Sequence, residues 1–166
     1  RKIQADFEED TGLHLRAGTE PEMMWFKLDD KGDPSVEGKT KPYCYHIHMF
    51  EELRPVLLDV VAYGRALGLD MSYGDHEDAP GQLELNFRFD RPVTTADNIT
   101  TYRQICAAVA RKHGLLASFM PKPFMGVSAS GCHHNLSLWK GGEEKVNPLG
   151  NGDSLPGMTG AFTYLK

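Results

Sequence analysis

The sequence predicts an α+β fold in which a mixed or antiparallel sheet carries helices packed on one of its faces. Two observations carry most of this expectation. Residues 82–89 (QLELNFRF) alternate without a break, so Leu83, Leu85, Phe87 and Phe89 face one way while Gln82, Glu84, Asn86 and Arg88 face the other. Residues 95–113 repeat apolar side chains at helical spacing through Ile99, Tyr102, Ile105, Cys106 and Val109, and Gly114 supplies a stop.

The remaining elements follow in chain order. Residues 20–28 (EPEMMWFKL) form a strand that places Glu20, Glu22, Met24, Phe26 and Leu28 on one side. A polar loop over 29–41 leads to PYCYHIHMF, then to a helix with Leu53, Leu57, Val60, Gly64 and Leu67 on one stripe and Gly68 as its stop. Residues 69–73 make a short strand, and Pro80-Gly81 turns the chain into the alternating strand. After the second helix, 115–120 read as a strand, PKPFMGVSASG as a loop, and CHHNLSLW as a strand that points His133, Asn135 and Ser137 together. The order strand, helix, strand, strand, helix, strand, strand leaves the sheet face opposite the helices as an open polar surface.

At 166 residues and 40% hydrophobic content the chain can bury one core and is expected to form a single domain. A formal charge of −5, with 23 acidic and 18 basic residues and no basic run, gives no footprint for nucleic acid or an anionic membrane surface. No apolar stretch is long enough to span a bilayer. The three scattered cysteines, Cys44, Cys106 and Cys132, argue against a disulfide framework and are expected to be small buried hydrophobes of a cytoplasmic protein. The first residue is Arg1 and the last stretch is rich in turn residues, so both ends are expected to be cuts.

The chemistry gathers on carboxylates. Glu20 and Glu22 lie two apart on one strand face, and Glu77 and Glu84 flank the Pro80-Gly81 turn, which can bring their strands together. Like charges so placed repel, and desolvation adds to the cost of keeping them ionised. A bound cation removes both problems. Hard oxygen donors favour Mg2+ or Mn2+, and an imidazole from His133 suits Mn2+ better. Each glutamate pair taken singly is the ordinary composition of a solvated strand face. His46 and His48 also alternate on one predicted strand face, yet no third ligand stands near them. The small residues between Gly126 and Gly131 make a pliable loop that could offer amides to an anion, although no P-loop lysine follows.

The ordered motifs GTEPE, HEDAPGQLELNFRF, SFMPKPF and SGCHHNLSLW, spread over residues 17–139, resemble the catalytic core of bacterial-type glutamine synthetases. The resemblance implies that residues 1–166 are part of a glutamine synthetase catalytic domain, a half-barrel, with two metal sites for Mg2+ or Mn2+. It places Glu22, Glu77 and Glu84 at one site, and Glu20, His133 and a further glutamate beyond residue 166 at the other. It implies ATP as co-substrate, phosphorylation of the γ-carboxylate of glutamate, and attack of ammonia on γ-glutamyl phosphate. Glu77 and a tyrosine aligned with Tyr43 or Tyr45, here assigned to Tyr43, would form the ammonium site. Arg88, Phe89, Asn135 and Ser137 would belong to the nucleotide site. A ring-shaped homo-oligomer is implied as well.

The chain also departs from the family pattern. VSASGCHHN stands where many members read DNGSGMHxH, so Ser128 and Ala129 replace an Asn-Gly pair that contacts glutamate. Asn135 replaces a histidine that approaches the ATP phosphates; it can donate a hydrogen bond but carries no charge. The metal set is untouched by these changes, whereas the amino-acid and amine side is altered. Glutamate–ammonia ligase is therefore the leading expectation, with a γ-glutamyl-amine ligase acting on a polyamine or ethanolamine as the alternative. A non-catalytic structural or regulatory paralogue is the third possibility, and so many carboxylates turned to one face speak against it.

Overall fold

The computed structural model describes residues 1–35, 44–140 and 144–146. These described residues fall into two compact units, one made of those within Arg1–Thr19, Phe89–Asp97 and from His133 onward, the other of those within Glu20–Arg88 and Asn98–Cys132. All three cysteines are free, and no described helix is long and apolar enough to cross a membrane.

The second unit is an antiparallel sheet with helices on one face, as the alternation predicted. Its central strand belongs to β1 (Leu13–Leu28), which pairs with β4 (Gln82–Phe87) through Glu22–Met24 and with β5 (Leu115–Ser118) through Met24–Lys27. The short β2 (Pro34–Ser35) caps the end of β1, and β3 (Met71–His76) pairs with β4. Met23, Met24, Trp25 and Phe26 are all almost fully buried, so this part of β1 is covered on both faces and reads as a continuous apolar run. Pro21, which has no amide hydrogen to donate, sits just before β4 pairing begins at Glu22.

One face of that sheet carries the main core. Met23, Trp25, Leu83, Leu85 and Phe87 meet Val56 and Val60 of α3 (Arg54–Ala66) and Tyr102, Ile105, Cys106 and Val109 of α4 (Pro92–Lys112). Burying each large apolar side chain contributes roughly 1.5–3 kcal/mol before entropy is counted. Two glycines permit the approach of neighbouring elements. A Cβ at Gly64 would sit 2.8 Å from Met71 Sδ, and one at Gly74 would sit 2.4 Å from Leu85 Cδ2 and 3.0 Å from the Glu84 carbonyl oxygen. The β3–β4 register shifts between Met71 and Gly74, where this contact is tightest.

Several elements differ from expectation. The first helical stripe is carried by Leu53, Val56, Val60 and Gly64, while Leu67 is exposed. The short strand begins at Met71, with Leu69 buried ahead of it. His46 and His48 do not share a strand face: His46 caps and His48 lies within α2 (Ile47–Glu52). Cys106 is buried as expected, but Cys44 and Cys132 are exposed, because neither lies on an apolar stripe. The face opposite the helices is not fully open. Met24, Phe26 and Ala79 pack there with Phe124 and Val127 of the 121–131 loop.

The first unit holds α1 (Lys2–Thr11), the beginning of β1, and most of β6 (Cys132–Lys140), which pairs with β7 (Glu144–Val146). The helix has no buried residue and ends at Gly12, whose positive φ lets its amide reach the Glu8 carbonyl. Ala17 bridges Asp90, Thr95 Oγ1 donates to the Ala17 carbonyl at 2.7 Å, and Arg16 pairs with the Asp90 carboxylate.

Candidate functional site

The sheet register assembles the carboxylates. Glu22 on β1 is the direct partner of Glu84 on β4, so both side chains leave the same face of the sheet, one strand apart. Asp75 on β3 is in turn the partner of Glu84, and Glu77 follows where the chain turns from β3 into β4. Burial pushes the Glu77 carboxyl up to about 7, and the charges of Glu22 and Glu84, then of Asp75 and Asp78, add to the rise. Glu84 is also raised, first by burial and further by Glu20, Glu22 and Asp75, while a hydrogen bond from Asn86 opposes the change. Glu20, Glu22, Glu77 and Glu84 are thus linked electrostatically within one unit.

Two buried amides of β4 hold these carboxylates. Gln82 Nε2 donates to Glu22 Oε2 at 2.8 Å, and Asn86 Nδ2 donates to Glu84 Oε1 at 2.6 Å. The Gly131 amide also donates to Glu22 Oε2, at 3.0 Å, while the Glu22 amide donates to the Gly131 carbonyl. The amide of Gly131 is therefore committed to a carboxylate, and that of Ser130 to the Pro121 carbonyl. Neither of these two amides is presented to an external anion.

Other predicted residues divide between the units. Ser128 donates its hydroxyl to Asp78, and the Ala129 carbonyl accepts from Gln82 Nε2 at 3.1 Å, so both loop positions touch groups next to the carboxylates. Tyr43 lies outside the described residues. Tyr45 is exposed and adopts φ 61°, an uncommon conformation for a residue with a side chain; its hydroxyl is held above its ordinary range chiefly by the charge of Glu77. Arg88, in the second unit, is largely exposed and stands 3.9 Å from Asp70. Phe89, Asn135 and Ser137 belong to the first unit, as does His133. There the Phe89 and Trp139 rings lie 5.8 Å apart, Trp139 Nε1 donates to Ser137 Oγ at 2.9 Å, and Gly18 leaves room beside the β-carbons of Phe89 and Asn135.

The profile of the glutamine synthetase catalytic domain matches residues 1–154 of the chain. The chain belongs to this family. It is 40% identical over 136 residues to a glutamine synthetase of Staphylococcus aureus (strain MW2), a match covering 81% of this chain and 30% of the relative. A glutamine synthetase of Staphylococcus epidermidis matches to the same extent. The chain therefore spans less than a third of the length of these curated relatives.

Among solved glutamine synthetase-type structures, GmaS without ligand superposes with a TM-score of 0.76 at 31% identity, over 86% of this chain and 34% of that one. A GmaS/ADP complex gives 0.77 at 30% identity, over 87% and 33%. A novel glutamine synthase homolog, 21% identical, shares the fold with a TM-score of 0.76 over 92% of this chain and 34% of its own.

The carboxylates fit the family's divalent cations by donor chemistry and by charge. Their oxygens are hard donors, and their mutual repulsion is what a cation relieves. They do not form a closed coordination shell: among the described residues no three His, Cys, Asp or Glu side chains converge closely enough to hold an ion as they stand. Gln82 and Asn86, read from sequence only as members of a polar strand face, are the residues the sequence reasoning missed. Their two-residue spacing about Glu84 on a strand that is buried on both faces was the available signal.

Proposed function

We propose that this chain supplies the metal-binding carboxylate face of an ATP-dependent glutamate–ammonia ligase. The observation that carries the reading is the Glu22–Glu84 register, with Glu77 at the adjoining turn, in a chain of the glutamine synthetase family. Glu22, Glu77 and Glu84 would hold one Mg2+ or Mn2+ ion. Glu20 and His133 would contribute to a second, an assignment for His133 that rests on the family resemblance. Bound divalent cations would neutralise charge on the phosphoryl group passing from ATP to the γ-carboxylate of glutamate.

The chain's own side chains supply the rest. Gln82 and Asn86 orient Glu22 and Glu84 by hydrogen bonds, which fixes the direction of their remaining oxygens. Glu77 offers a negative group to an ammonium ion, and Tyr43 remains its proposed partner. Arg88, Phe89, Asn135 and Ser137 would meet the nucleotide; the exposed Phe89 ring offers a stacking face, and uncharged Asn135 can donate a hydrogen bond to a phosphate oxygen. Ser128 and Ala129 would lie on the glutamate side.

The decisive experiment incubates the full-length protein with glutamate, ammonium, ATP and either Mg2+ or Mn2+. Phosphate release that needs both glutamate and ammonium, with matching glutamine formation, is expected. Its absence with both metals refutes the ligase. A second reading, a γ-glutamyl-amine ligase, is favoured by the Ser128–Asp78 pair, which adds a carboxylate beside the altered loop that an amine could reach. If putrescine or ethanolamine gives a much higher kcat/KM than ammonium, the second reading replaces the first.

A further inference from the structure

Gln82 occupies an unusual place for an amide on a strand. It is 1% exposed, yet each polar atom of its side chain is used. Its Oε1 accepts from the Ala79 amide at 2.9 Å, which closes the turn that carries Glu77. Its Nε2 faces Glu22 Oε2 at 2.8 Å, the Ala129 carbonyl at 3.1 Å and Ser130 Oγ at 3.3 Å. One side chain thereby ties together three segments distant in sequence: the 77–82 turn, β1 at Glu22, and the 129–131 loop.

We infer that Gln82 is a positioning residue that couples the 128–131 loop to the Glu22 carboxylate, so that the amino-acid side and the metal side of the site are set by one buried amide. The inference rests on the metal-binding reading given above. Three physical points support it. An amide is the side chain that can donate to a carboxylate and a carbonyl while accepting from a backbone amide. A buried amide whose partners are removed costs far more than an exposed one, so the arrangement resists loosening. Glu22 is already tied to Gly131 by a pair of hydrogen bonds, so any displacement of the loop moves the carboxylate with it.

The test compares wild-type full-length protein with Gln82→Met, which keeps the volume but can neither donate to Glu22 nor accept from Ala79. Gln82→Asn, an amide shorter by one methylene, serves as a second variant should the first fail to fold. Hydrogen exchange of the 128–132 segment is measured in EDTA, Mn2+ binding by calorimetry, and KM for glutamate separately from kcat. Exchange about tenfold faster, a Mn2+ midpoint raised about 10–100-fold and a KM that rises more than kcat falls are expected.

Unchanged exchange, or a Mn2+ midpoint within about twofold of wild type despite a lower Tm, overturns the inference, because a merely structural glutamine would lower stability alone. Wild-type protein that takes up no Mn2+ refutes the metal reading instead. The exchange measurement then still decides whether Gln82 holds the loop.

Discussion

Glu77 offers the sharpest physical test, because its carboxyl is pushed from the ordinary 4.5 to about 7 by burial and by the charges of Glu22 and Glu84. Between those two values the folded protein holds a proton that the unfolded chain releases. Unfolding free energy must therefore fall as pH rises through that window, and the loss is complete above about 7. The full gap corresponds to about 3 kcal/mol at 1.36 kcal/mol per pH unit. Glu77 is only half-buried, and solvent screening reduces the contribution to about 1–2 kcal/mol. Glu77→Gln removes the charge without changing the side chain's size. In EDTA, denaturant unfolding of the full-length variant should give a stability above wild type by about 1–2 kcal/mol at pH 8, a gap that closes toward pH 5. Added Mn2+ should stabilise the wild type more than the variant and so reverse the order. A variant no more stable than wild type at pH 8, or one with an advantage that persists unchanged at pH 5, refutes the electrostatic account.

Other consequences follow from the packing. Gly74→Ala places a methyl 2.4 Å from Leu85 Cδ2 and 3.0 Å from the Glu84 carbonyl oxygen, so it should cost about 1–3 kcal/mol in denaturant unfolding and weaken Mn2+ binding through Glu84. Leu85→Ala, in the main core and away from the carboxylate face, should cost about 2–5 kcal/mol while leaving the Mn2+ midpoint near that of wild type wherever the protein stays folded. Asn86→Leu removes the donor to Glu84 Oε1; calorimetry should show weaker Mn2+ binding, and the Glu84 carboxyl should titrate higher still in EDTA. Asp59 is held below its usual range first by Lys112 and then by His113, so its contribution is present above about pH 4 and lost as pH falls through its folded value. Asp59→Asn should lower Tm at neutral pH, with the difference shrinking in acid.

Sequence periodicity reached the apolar faces that form the main core. Leu83, Leu85 and Phe87 are buried as their spacing required, and Tyr102, Ile105, Cys106 and Val109 form the buried side of α4. The same parity puts Glu20 and Glu22 on one strand face, and the Pro80-Gly81 turn brings Glu77 near Glu84. It failed where no such signal exists. The first helix buries nothing and so shows no apolar stripe to read. His46 and His48 keep a spacing that a strand and a short helix both allow, and the chain settled it as a helix. The beginning of β1 was obscured by Gly18 and Pro21, residues that usually interrupt a strand.

What the sequence determined by itself is therefore the inventory: the strand faces of Glu20, Glu22 and Glu84, the apolar faces of the main core, and membership of the glutamine synthetase family. Tertiary structure alone decided the partners. That Glu22 meets Glu84 across β1 and β4, and that Gln82 spends its amide on Glu22 and on the Ala129 carbonyl, depend on register between segments 60 and 47 residues apart. Strand parity repeats every two residues and specifies a face, but it carries no information on which residue of another strand lies opposite. Only the closure of the sheet, fixed by the core beneath it, supplies that.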